Sequence, residues 1–146
     1  MTFLERLVVK LAARVDGQLD ALSDRKAFEA AQDAMIAKNY SVALKGFEEL
    51  AMRGHGRAAA LAGTMHLMGE AVRENGAQAI KYLTIGAKAN DPAAISLLGM
   101  AFAAGKAGVK VDYFKARPLL EQAVKNGDAK AKEMLEIVLS KQKGKR

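Results

Sequence analysis

The sequence predicts an all-α fold of stacked antiparallel helix hairpins, and three observations carry that prediction. Apolar residues recur at helical spacing in block after block. Ala94, Leu97, Leu98, Ala101 and Phe102 form one such stripe, and Ala116, Leu119, Leu120, Ala123 and Val124 form the next. No run of four to eight residues shows strand alternation with β-branched enrichment. The blocks also repeat. Gly63 to Gly99 and Gly69 to Gly105 are 36 residues each, Ala43 to Ala79 is 36, and Ala79 to Ala116 is 37. The terminators Gly54, Asn90 and Gly127 keep the same steps, and Gly108 supplies the extra residue in a loop. A unit of this kind cannot bury its apolar face without a neighbour, so the units must stack.

Residues 1–22 are predicted to form an N-terminal amphipathic helix packed on the solenoid. Leu4, Leu7, Val8, Leu11, Val15, Leu19 and Leu22 share one face, and Glu5, Arg6, Lys10, Arg14 and Gln18 the other. Gly17 is its weak point, where a bend or an end is expected. Two other uses of the stripe stay open, a membrane-surface helix and an oligomerisation or partner-binding helix. Asp16 and Asp20 oppose the membrane.

Residues 23–140 form the repeat domain. The first unit spans residues 24–56, with Ser23 or Asp24 as the N-cap and Ala27, Phe28, Ala31, Ala34 and Met35 as apolar positions. A short turn at Lys38–Tyr40 leads to a second helix with Ala43, Leu44, Phe47, Leu50 and Ala51. The second unit, residues 57–92, carries Leu61, Ala62, Met65 and His66, then Ala79, Ile80, Leu83 and Ala87. Asn90-Asp91-Pro92 ends it and starts the third unit, residues 93–129. Residues 130–140 begin a fourth unit with no partner helix, the form expected of a C-terminal cap. Residues 141–146 read as a solvated basic tail.

At 146 residues the chain is one domain, and 51% hydrophobic content excludes a disordered chain. The absence of Cys excludes disulfides and thiolate metal cages. Charged residues interrupt the N-terminus, and no 18-residue apolar run occurs, so neither a secretory signal nor a membrane span is read and a cytoplasmic location is expected.

These residues together resemble Sel-one-like repeats, relatives of the tetratricopeptide repeat with a longer loop inside the hairpin. In the third unit Leu98-Gly99, Phe102, Gly105, Val109, Asp112, Lys115-Ala116, Ala123 and Gly127 follow the family pattern. In the second, Gly63, Gly69, Val72, Ala79, Tyr82 and Ala87 do so, while Ala62 replaces a Leu, His66 a Tyr and Asn75 an Asp. The first hairpin has a shorter loop and is similar to an ordinary tetratricopeptide unit. The resemblance covers about residues 24–139 and implies a right-handed α-solenoid, typically of a bacterial protein. Independently of the family, Gly63 and Gly99 lack a Cβ and allow close helix approach, and Gly69 and Gly105 suit a left-handed turn.

No enzyme signature is present, and no cofactor is implied. His55, between two glycines, reads as solvated and His66 as a packed core residue. Glu70 and Glu74 beside them make too weak a constellation for a metal. Gly54-His55-Gly56 and Gly105–Gly108 lack the strand and the Lys-Ser/Thr of a phosphate loop. Glu48-Glu49 reads as a solvated pair on a helix exterior. None of the few serines has a base nearby in sequence.

The resemblance implies that the first helix of each hairpin lines a concave face. That face would present Phe28, Gln32 and Met35, then Arg57, Ala60, Thr64, Leu67 and Met68, then Ala93, Ser96, Met100 and Ala103. Small residues with adaptable Met side chains suit gripping a helix or an extended peptide. Occupation of this groove by the N-terminal helix is the competing reading. The expected function is a non-enzymatic protein–protein interaction module with an adaptor, regulatory or immunity-type neutralising role.

The alternative rests on charge. The formal net charge is +7, and residues 104–146 hold eleven basic and five acidic side chains. Lys106, Lys110, Lys115, Lys125, Lys130 and Lys132 form a basic surface that suits an acidic protein partner or nucleic acid. The excess of Lys over Arg and the lack of interleaved aromatics count against nucleic acid.

Overall fold

The computed structural model describes residues 1–69 and 72–144. Its seven α-helices are α1 (Phe3–Ile36), α2 (Tyr40–Met52), α3 (Gly56–Met68), α4 (Gly76–Lys88), α5 (Pro92–Ala104), α6 (Tyr113–Lys125) and α7 (Ala129–Lys143). A single 3-10 turn, Lys106–Gly108, lies in the α5–α6 loop, and no strand occurs among the described residues. The fold is an all-α solenoid, as the repeat spacing predicts.

Capping punctuates the stack with the sequence period. His55, Asp91 and Asp128 cap α3, α5 and α7, each side chain accepting the N–H three residues on. Asn75 and Asp112 cap α4 and α6 in the same way. Asn75 therefore does for α4 what Asp112 does for α6. Gly69 and Gly105 close α3 and α5 in the left-handed conformation, with φ of 66° and 67°.

Hairpin partners pack against each other as α1 with α2, α3 with α4, and α5 with α6, and α7 closes the end against α5 and α6. The first helices also form their own row, α3 on α5 and α5 on α7. Three core clusters follow one another. Phe47, Leu50 and Tyr82 anchor the first, Leu67, Leu83 and Leu98 the second, and Ile95, Leu120 and Val138 the third. Glycine sets how closely the helices approach: a Cβ on Gly63 would lie 2.6 Å from Leu83 Cγ, and one on Gly99 3.0 Å from Leu120 Cγ.

Both chain ends depart from the sequence expectations. Residues 3–22 are helical but do not pack on the solenoid; they continue without a break into the first repeat helix. Neither Ser23 nor Asp24 caps a new helix. Asp24 instead pairs with Arg53 across the hairpin, and the helix start is a capping box made by Thr2 and Glu5. Residues 1–23 are exposed throughout, and Ala31 is the only buried residue recorded in α1. The reason is angular. At about 100° per residue, the stripe centred on Leu4, Leu11 and Leu22 lies roughly 180° round the helix from Ala27, Phe28 and Ala31, which face α2. No bend at Gly17 redirects it, because an unbroken helix keeps that angle. At the other end α7 extends to Lys143, so the expected tail begins later, and Lys145 and Arg146 lie outside the described residues.

Candidate binding surface

The helices carrying the expected concave-face residues divide them into two groups. Gln32, Arg57 and Met68 are exposed, and Phe28, Met35, Thr64 and Met100 are half-buried. Leu67, Ser96 and Ala103 are buried, as is Ala60, and these leave the contact surface. Leu67 belongs to the second core cluster and Ala103 to the third. Ser96 donates to Asp128 Oδ2 at 2.5 Å and so ties α5 to the start of α7. Helical periodicity identifies one face of a helix, but a helix in a stack has neighbours on several sides. Alternate residues of the supposed surface are consumed by the next repeat.

Phe28 is half-committed too. Its ring lies 5.8 Å from Phe47 and is stacked 4.9 Å from His55. His55 is thus not the solvated loop residue expected. Its Nδ1 accepts the Ala58 N–H at 3.1 Å while its ring covers Phe28. Glu48 is likewise not merely solvated. Its Oε1 lies 2.8 Å from His66 Nε2, and His66 stacks on Tyr82 with ring centroids 5.9 Å apart. Burial, then the charge of Glu48 and a hydrogen bond to it, hold the Tyr82 phenol above its ordinary value. This cluster joins α2, α3 and α4.

The remainder is Gln32, Arg57 and Met68, which are exposed, and Met35, Thr64 and Met100, which are half-buried, Met35 against the first core cluster and Met100 against the third. Lys106 Nζ lies 3.0 Å from Met68 Sδ, bringing the basic surface to the end of α3. Lys106, Lys110, Lys115, Lys125, Lys130 and Lys132 are all exposed. Lys115 also sits over the Phe102 ring at 5.4 Å. At the C-terminal end an open cleft of about 1020 Å³ is lined by Tyr113, Phe114, Arg117, Lys141 and Lys143 among others. Phe114 is 85% exposed there, an aromatic among cations that linear spacing did not bring together. Among the described residues no group of three His, Cys, Asp or Glu could hold a metal, and Glu70 lies outside them. No helix among them is long and apolar enough to cross a membrane.

Two Sel1 repeats match the sequence, at residues 56–91 and 92–128, together half of the chain. The chain belongs to the Sel1 repeat family.

Solved Sel1-type structures agree with the architecture. A Sel1 repeat protein from Oxalobacter formigenes is 25% identical with a TM-score of 0.64, covering 74% of this chain and 45% of its own. The protective antigen c5321 of uropathogenic Escherichia coli, described as having an SLR fold, is 21% identical with a TM-score of 0.68. That match covers 82% of this chain and 26% of the antigen. Helicobacter pylori cysteine rich protein B is 19% identical with a TM-score of 0.57, over 77% and 95% of the two chains. The chain thus spans less than half the length of the first two. No curated protein matches it. Sel1 repeats in general mediate protein–protein interaction and serve as non-enzymatic scaffolds. Within the first matched Sel1 unit, His66 stacks as an aromatic on Tyr82.

Proposed function

We propose that this Sel1-repeat chain binds a protein or peptide along the row made by the first helix of each hairpin. It would act as a stoichiometric adaptor, regulator or neutralising partner, not as an enzyme. The observation that carries this reading is the exposure of Arg57 and Met68, with half-buried Thr64 and Met100, on helices whose other residues fill the core. Two adaptable thioethers beside a cation and a hydroxyl suit a partner segment with both apolar and acidic side chains. Lys106 beside Met68 adds positive charge to the same end.

The test uses Met68→Asp/Met100→Asp in affinity capture from the native cell. Phe28 is unsuitable as a probe, because its ring packs on Phe47 and His55. A defined partner should be captured by the wild type and lost by the still-folded double variant. Unchanged capture by a folded variant would overturn the groove assignment.

A second reading, nucleic acid at the C-terminal end, is favoured by Phe114 standing exposed beside Arg117, Lys141 and Lys143. It predicts binding of single-stranded DNA or RNA that weakens steeply with salt and is lost in Phe114→Ala.

A further inference from the structure

The apolar stripe of α1 between Leu4 and Leu22 has no partner among the described residues. Leu4, Val8, Leu11, Val15 and Leu22 are between 49% and 69% exposed. An amphipathic helix in a protein gains most of its stability by burying its apolar face.

We propose that this segment pairs with the same segment of a second copy of this chain, in a parallel two-stranded coiled coil. The spacing is a heptad. Val8, Val15 and Leu22 occupy a positions and Leu4 and Leu11 occupy d positions; Gln18, read from the sequence as part of the polar face, lies seven residues after Leu11 and so falls at the next d position. β-Branched residues at a with Leu at d favour two parallel strands.

Two residues choose the direction. In parallel register Gln18 meets Gln18 of the second copy, so each amide has a hydrogen-bonding partner in the seam. In the antiparallel register that overlaps residues 4–22, Gln18 would face Val8 and its amide would go unpaired. That register would also bring Arg14 against Arg14, whereas the parallel one sets Arg14 beside Leu19.

The remainder of the molecule permits the pairing. The stripe points away from the side of α1 that holds α2, so the two solenoids would hang on opposite outer sides of the coil. Asp24 and Arg25 end the seam, Asp24 in its pair with Arg53 and Arg25 in its pair with Glu29. A membrane surface fits less well, since residues 1–25 hold four basic and four acidic side chains.

Sedimentation of the full chain should give twice the 15.6 kDa chain mass. Val8→Asp/Val15→Asp should be monomeric with the repeats still folded, and Val9→Asp, off the seam, should remain dimeric. Because the chain has no Cys, Leu4→Cys tests direction cleanly, and it should cross-link to itself on oxidation. The proposal is overturned by a full chain that stays monomeric at about 100 µM. A trimer or tetramer, or a Val8→Asp/Val15→Asp dimer, would also overturn it. So would Leu4→Cys cross-linking only to Leu22→Cys, or a monomer that binds phosphatidylserine vesicles through this helix.

Discussion

Ser96 and Asp128 show how single side chains tie neighbouring repeats together. The Ser96 hydroxyl, and after it the Ala131 N–H, hold the Asp128 carboxyl below its ordinary value of 3.8. A carboxylate with a lowered folded value adds stability above its unfolded value, and loses it as pH falls through the folded one. Ser96→Ala should therefore move the acid-unfolding midpoint to higher pH and cost about 1–2 kcal/mol at neutral pH, read by chemical denaturation across a pH series. Tyr82 has the opposite sign. Its raised value adds stability below the ordinary 10.0, and that stability is lost as pH rises through the folded value. Glu48→Gln removes the charge contribution, so ultraviolet titration should show the phenol ionising at lower pH. Neither contact could be read from the sequence. Ser96 and Asp128 are 32 residues apart, and Glu48 and His66 are 18 apart. The repeat period marks such positions as equivalent without saying which polar atoms meet.

At the scale of the element, the two interior glycines of α1 and α4 should respond oppositely to alanine. A Cβ on Gly17 would meet nothing within 4 Å. Gly17→Ala should raise helicity in α1 by up to about 1 kcal/mol of helix propensity, visible as slower amide exchange there. A Cβ on Gly86 would lie 2.5 Å from Ala94 Cβ and 3.1 Å from the Gly56 carbonyl. These atoms cannot rotate aside, and Gly86→Ala should cost about 1–3 kcal/mol in thermal denaturation. Gly99→Leu should cost at least as much, since a far larger side chain would be driven into Leu120 and Leu119. The close approaches at Gly63 and Gly99 were legible because they recur with the period. The role of Gly86 was not, because the positions one period before and after it are Leu50 and Ala123, not glycines.

For the whole molecule, the two ends should differ in what they lend to stability. Residues 1–22 touch little, so a chain beginning at Ser23 should keep the cooperative melting of the repeats. Removing α7 uncovers Leu120 and Ile95, whose cluster includes Ala131 and Val138. A chain ending at Gly127 should melt well below the full chain and aggregate, as a stack does without its cap. Calorimetry of the two truncations, with light scattering, distinguishes the ends.

The sequence alone determined the repeat helices after the first, their period, their terminators and the family, because these depend on local backbone preference and a repeated apolar pattern. It also determined that residues 3–22 form an amphipathic helix. Only the tertiary structure decided where that helix points, which of the expected concave-face residues stay accessible, and how His55, Glu48 and Phe114 are used. Those outcomes depend on the angle between successive faces of one rigid helix, and on which neighbour in the stack covers each side chain. Both are properties of residues distant in the chain, which a pattern read along it does not contain.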